Sequence, residues 1–404
     1  MGLRRELAVS LGLQGAGAAS VLLATLWLGL RDGPWVQGGF SRAKSEIEFV
    51  AAFAMFGLPQ ALFFFVKSGR LSARSAHRWV GASAVLALAV GSGYALIEHR
   101  TASAFTAVTL ATAVAAGVVH GQLRALLLVR ERTVWFNVAT ALPQVVVLVG
   151  VGAAVVAGVA PQAPWFALFG LAFAVAAGLA WWRLARPAET PVAGEIGWRP
   201  LAHYGAAAWL TAALSTAAIV ATQRWVESDQ GRVGLGQFTM AMTLVQVPLT
   251  PISYAAPLLL RRWMEHSGSR ASRRAGAAVF LGLVLLAAMV GAASGAWPDL
   301  GLGAAYAGAT AALAWLLAGG AAEASSRVLT VQASAIGLPW IGVRAEVARW
   351  LTLLVGALAL GRGVFPAHGV RAVCMVWAAA AAAAALVFAW HARERRERAP
   401  ERRP

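Results

Sequence analysis

The chain has 404 residues, 59% of them hydrophobic and 13% charged, with 34 Lys and Arg against 17 Asp and Glu. That apolar share excludes a soluble domain, and runs such as 81–97, 275–293 and 373–390 approach the roughly 20 residues a spanning helix needs while lacking the alternation of barrel strands. An all-α polytopic membrane protein follows, because in lipid a helix satisfies its own backbone.

The opening MGLRRELAVSLGLQGAG is basic and then apolar, but no small-residue cleavage site precedes Trp27, so it is expected to stay as a first helix. Apolar length and Gly/Pro punctuation then predict twelve spans, at about 6–30, 46–66, 79–97, 104–128, 133–159, 164–185, 201–225, 235–260, 274–294, 302–326, 336–360 and 369–391. With the N-terminus inside, 22 basic residues fall in inner segments, 8 in outer ones and 4 (Arg124, Arg327, Arg344, Arg349) within or at the ends of spans. The excess places both termini in the cytoplasm of a multi-pass inner-membrane protein, and it accounts for the +17 formal charge without nucleic acid as a partner. The lone Cys374 excludes an intrachain disulfide or a dithiol site. Pro59, Pro143, Pro248, Pro251, Pro257 and Pro339 fall inside spans and are expected to kink them.

The polar stretch RPAETPVAGEIGWRP, 186–200, divides the spans six and six. The expected organisation is an N-terminal lobe at 1–193, a C-terminal lobe at 194–392 and a basic cytoplasmic tail at 393–404. A repeat supports the division. GGFSRAKSEIEFVAAFAMFGLP, 38–59, and GQFTMAMTLVQVPLTPISYAAP, 236–257, share glycine, phenylalanine, alanine and proline at matching places, offset by 198 residues. His120-x-x-x-Arg124 and Glu323-x-x-x-Arg327 echo each other on spans four and ten. Duplicated halves in the same order imply a pseudo-two-fold along the membrane normal, a common way of building transporters.

This layout, with the pattern GLGQFTMAMT followed by Pro257, Arg261 and Arg262 opening the second half, resembles the polysaccharide transporter family of the multidrug/oligosaccharidyl-lipid/polysaccharide exporter superfamily, the Wzx-type flippases. The resemblance implies a V-shaped alternating-access carrier that moves a lipid-linked oligosaccharide, or polysaccharide precursor, from the inner to the outer leaflet. It also implies a polysaccharide polymerase or ligase as partner, beside membrane lipids. A monomer is expected.

An anionic sugar diphosphate crossing about 30 Å of hydrocarbon calls for a cationic, wet cleft, and Arg offers a donor fork that stays charged. The substrate-binding candidates are therefore Arg349, Arg124, Arg327, Arg224, Arg42 and Lys44. The plainer reading makes Arg124 and Arg327 snorkelling helix ends, and lets Glu346 neutralise Arg349 three residues on. Glu46 and Glu48 are the ion-coupling candidates. Residues two apart on a helix point about 200° away from each other, so they cannot share a cavity, and local pairs with Arg42 and Lys44, each four residues earlier, compete with that role. Asn137, Gln144, Gln246, Thr211, Ser215 and Thr216 are further cleft-lining candidates, and His120 reads as a hydrogen-bonding neighbour.

The sequence holds no P-loop, no H-E-x-x-H, no Cys/His metal spacing and no G-x-S-x-G, so neither enzyme, cofactor nor metal is expected. Two alternatives stand beside the flippase. One is a multidrug exporter of the same superfamily, disfavoured because the deep charges run to Arg. The other is a membrane-bound polyprenyl-glycan glycosyltransferase or polymerase, disfavoured because no loop much exceeds fifteen residues.

Overall fold

The computed structural model describes residues 3–101, 103–130, 132–185, 196–265, 303–335, 338, 340–361 and 369–398. No strand occurs among them. The helices are α1 (Leu3–Ala54), α2 (Leu58–Lys67), α3 (Ala73–Glu98), α4 (Ala104–Val129), α5 (Thr133–Val156), α6 (Trp165–Leu184), α7 (Trp198–Glu265), α8 (Ala307–Ala335), α9 (Trp340–Gly361) and α10 (Gly369–Arg398). Eight stretches among the described residues are long and apolar enough to cross a membrane. The chain is an all-α, multi-pass membrane protein.

Two of those helices are double. In α1 a single residue with non-helical geometry, Gly33 (φ 83°, ψ 174°), joins two helical segments, and in α7 Gly231 (φ 67°, ψ −171°) does the same. Positive φ costs a residue with a Cβ, so glycine makes the joint in one position. Pro34 follows it at the start of the second segment, where its missing N–H is no loss. Each segment is long enough to span, since 20 residues cover about 30 Å. The expected outer loop at 31–45 is thus helical apart from Gly33, and Arg42 and Lys44 sit on a helix wall. Eleven of the twelve expected spans are helical; the ninth, 274–294, lies outside the described residues, as do most of the expected hinge and the end of the tail. The two joints are offset by 198 residues, the spacing of the sequence repeat.

Contacts divide the chain into two compact units, Met1–Val220 and Ala221–Pro404. In the first, α4 packs more extensively on α6 than on α5, its neighbour in sequence; in the second, α8 packs more extensively on α10 than on α9. Hydrophobicity does not separate inside from outside here. Val85, Leu96, Val156 and Leu386 are at least 68% exposed, as suits a surface bathed in hydrocarbon, whereas Ala113, Ala139, Ala172 and Ala176 are fully buried, as suits close backbone approach. The first unit's centre is aromatic, with Phe40 5.2 Å from the rings of both Trp165 and Phe169.

Helix ends are satisfied locally. Ser72 Oγ accepts the Ser75 N–H at 3.1 Å to cap α3, and Ser103 Oγ accepts the Thr106 N–H at 3.3 Å to cap α4. At the C-terminus of α6, Arg130 donates to the Leu184 carbonyl at 3.1 Å and Arg132 donates to that of Arg183, filling acceptors the helix leaves open. The Arg183 guanidinium lies 3.3 Å from the ring centre of Trp135 and 4.1 Å from that of Trp182.

Between α1 and α2 the chain breaks at Phe56 (φ 45°) and Gly57 (φ 67°), just ahead of the expected kink at Pro59, which is the second residue of α2. This elbow lies against the first segment of α7, where a Cβ on Gly57 would collide with the Gly205 carbonyl. Aromatic contacts close it: Trp209 Nε1–H donates to the Phe53 carbonyl at 2.9 Å, Trp209 stacks on Phe56, and Tyr204 stacks on Phe64. Gly57→Ala adds left-handed strain to a backbone clash and is expected to cost roughly 3 kcal/mol. Gly12→Ala, with nothing within 4 Å of the added methyl, should be neutral or slightly stabilising. Thermal unfolding of the two purified variants in one detergent decides this; equal melting points would contradict it.

Candidate functional site

The charges placed by sequence sort into separate clusters. In the first unit, Glu46 lies on the second segment of α1, 2% exposed. Arg42, one turn earlier, donates to its Oε1 at 2.9 Å, and His99, which directly follows α3, lies 2.9 Å from its Oε2. Arg42 also lies 3.7 Å from Glu98. Lys44 and Glu48, 3.4 Å apart, form a pair on a more exposed face. The two acidic candidates therefore differ in kind, one solvated and the other buried with both oxygens engaged.

In the second unit Arg349, on α9, is 1% exposed and bonds across to Glu323 on α8. Its Nε lies 3.3 Å from Glu346 Oε2, close enough for attraction though not aligned as a hydrogen bond. Glu323 also accepts from Arg327 Nε at 3.1 Å. Two carboxylates thus meet two guanidinium groups, and the cluster is neutral. Coulomb attraction at this range is about 4 kcal/mol for an effective dielectric of 20. Desolvation costs several kcal/mol per ion, so the pair roughly breaks even while loss of either member is expensive.

Arg124 is half-buried with its guanidinium 5.6 Å from the Phe136 ring centre, and Arg224, on α7, is half-buried. The structure joins Arg42 to Glu46, Lys44 to Glu48, and Arg327 to Arg349 through Glu323. Among the described residues of either unit it does not gather the basic candidates into one cationic surface. His120, 5% exposed, bonds the Ala139 carbonyl on α5 at 2.8 Å and packs on Phe173.

A neutral polar cluster also lies inside the first unit. Gln14 and Ser10 on α1 bond the amide of Asn137 on α5, the Ser10 contact being 2.7 Å, and all three are at most 2% exposed. Asn137 is one of the cleft-lining groups expected from sequence. Gln14 and Ser10 are not, although two polar residues one turn apart in an apolar run mark a polar helix face. No group of three His, Cys, Asp or Glu suited to a metal occurs among the described residues.

No protein-family model matches the chain, and no curated protein does. Solved structures do. An inward-facing multidrug resistance MATE-family transporter of the MOP superfamily superposes with TM-score 0.68 at 15% identity, over 96% of this chain and 98% of that one. A mutant form of a MATE gives 0.70 at 16% identity over 96% and 95%. The chain has the MATE fold. An outward-facing MATE transporter matches equally far along this chain, with TM-score 0.67 at 16% identity, 96% and 95%.

Arg349→Met leaves two carboxylates without their central cation and is expected to lower stability by about 3–5 kcal/mol. Adding Glu323→Leu should recover part of that loss. A double-mutant cycle on thermal unfolding in detergent measures it, and additive losses would mean that the two side chains do not interact.

Proposed function

We propose that the chain is an alternating-access exporter that removes amphipathic small molecules from the membrane and cytoplasm. The observation that carries this reading is similarity along 96% of the chain to MATE transporters in both inward- and outward-facing states. Pairing of the deep arginines adds to it. A bare guanidinium surface would have favoured a sugar diphosphate, and Arg349, Arg327 and Arg42 each have a carboxylate beside them.

The energy enters, in this reading, through Glu46. Protonating it would release Arg42 and His99 together, with Glu98 next in line for Arg42, so one proton rearranges the contact between the second segment of α1 and the end of α3. Glu48, already solvated beside Lys44, offers no such leverage.

The second reading, export of a lipid-linked glycan, is favoured by the twofold excess of basic over acidic residues, 34 against 17, and by the repeated glycine–phenylalanine frame. Proteoliposomes separate the two. With an imposed pH gradient the exporter reading expects uptake of a fluorescent lipophilic cation such as ethidium, and expects Glu46→Gln to bind it while losing dependence on the gradient by at least tenfold. Absence of cation transport, together with translocation of a fluorescent polyprenyl-linked sugar, would transfer the assignment to the glycan.

A further inference from the structure

A cavity of about 390 Å³ lies within the first unit between α3 and the first segment of α7. Trp79, Ser83 and Leu86 line it from α3, and Trp198, Leu201 and Trp209 from α7. The spacings fall on one face of each helix, so two stripes confront each other. Eleven residues separate Trp198 from Trp209, which makes the slot about 16 Å long. Its lining is apolar. Ser83 turns its hydroxyl to Val80 and Gln122, at 2.9 and 2.7 Å, so it offers the cavity little. Water lacks partners in such a space, whereas a hydrocarbon chain matches its length and surface.

One end of the slot has the opposite character. Lys67 ends α2, Arg70 lies in the turn that follows, Arg74 and Arg78 lie on the start of α3, and the first turn of α7 carries Arg199. The Ile196 N–H donates to the Arg70 carbonyl at 3.3 Å, holding the two segments side by side. Arg74, Arg78 and Arg199 are exposed, and Arg78 and Arg199 adjoin Trp79 and Trp198 at the slot's end. Neither 58–79 nor 196–209 contains an acidic residue, so among the described residues of these two segments this end is basic.

We propose that the slot is a binding site for an anionic glycerophospholipid, with an acyl chain between Trp79, Trp198 and Trp209 and the phosphate at Arg78 and Arg199. Tryptophan at the rim and basic residues just outside it are the arrangement by which membrane proteins hold headgroups at the interface. The apolar length supplies affinity, and the basic end supplies the preference for a net negative charge over a zwitterion.

The test uses the full-length protein, delipidated in detergent and titrated with phosphatidylglycerol or with phosphatidylcholine of the same acyl chains, with retained lipid counted by native mass spectrometry. One phosphatidylglycerol should be held at concentrations where phosphatidylcholine is not. The double variant Arg78→Ala/Arg199→Ala should hold it roughly thirty-fold more weakly, at about fivefold per basic residue near the surface. Both side chains are exposed, so an unchanged melting point in detergent verifies the variant's fold. Ala206→Trp, which fills the slot and leaves the arginines in place, should also remove the lipid. Inorganic phosphate at millimolar concentration should leave it bound. Equal retention of the two lipids, wild-type retention by the double variant, or displacement by phosphate alone would each overturn the assignment.

Discussion

A charge inside a bilayer has to find its counter-charge among the helices that surround it, because water is not there to share the cost. Glu323 and Arg349 meet that demand across α8 and α9, with Arg327 and Glu346 completing a neutral group. Glu46 meets it between Arg42 and His99. Much of the architecture serves those two arrangements. The joint at Gly33 lets the second segment of α1 run as helix through Arg42 and Glu46, and a loop there would have left the buried carboxylate without its one-turn neighbour.

The consequence for function is that deep arginine does not by itself mean an anionic cargo. A guanidinium seen in sequence inside a span is a demand for a partner, and whether the partner is a substrate or a carboxylate is decided by packing. In this chain the carboxylates that answer Arg42, Arg327 and Arg349 lie on the same or adjacent helices of the same unit.

Local features are legible in the sequence. Helical class, eleven of the spans and the one-turn pairs Arg42–Glu46, Lys44–Glu48 and Glu323–Arg327 all follow from spacing along a single helix. Partners brought from elsewhere are not. His99 is 53 residues from Glu46 and Arg349 is 26 from Glu323, and no periodicity connects them. The joints at Gly33 and Gly231 escape a sequence reading for another reason: polar residues beside a glycine suggest a loop, whereas one positive-φ glycine suffices to start a new helix. The two halves nevertheless share this joint at the spacing of their repeat while differing in charge. Where the first half has Lys44, Glu46 and Glu48, the second has Met242, Leu244 and Gln246. The backbone plan is duplicated, and at this repeat the charges belong to the first copy.

Arg183 lies between the rings of Trp135 and Trp182, at the end of α6 and the start of α5, and the chain just beyond α4 reaches the same place through Arg130 and Arg132. A cation held over aromatic faces loses its attraction within a few ångströms, and one residue of axial slip is already about 1.5 Å. This corner acts as a depth gauge. Sliding α6 along α5 would pull the guanidinium off Trp135 while Trp182, on the same helix, moved with it, whereas tilting about that corner would keep both contacts.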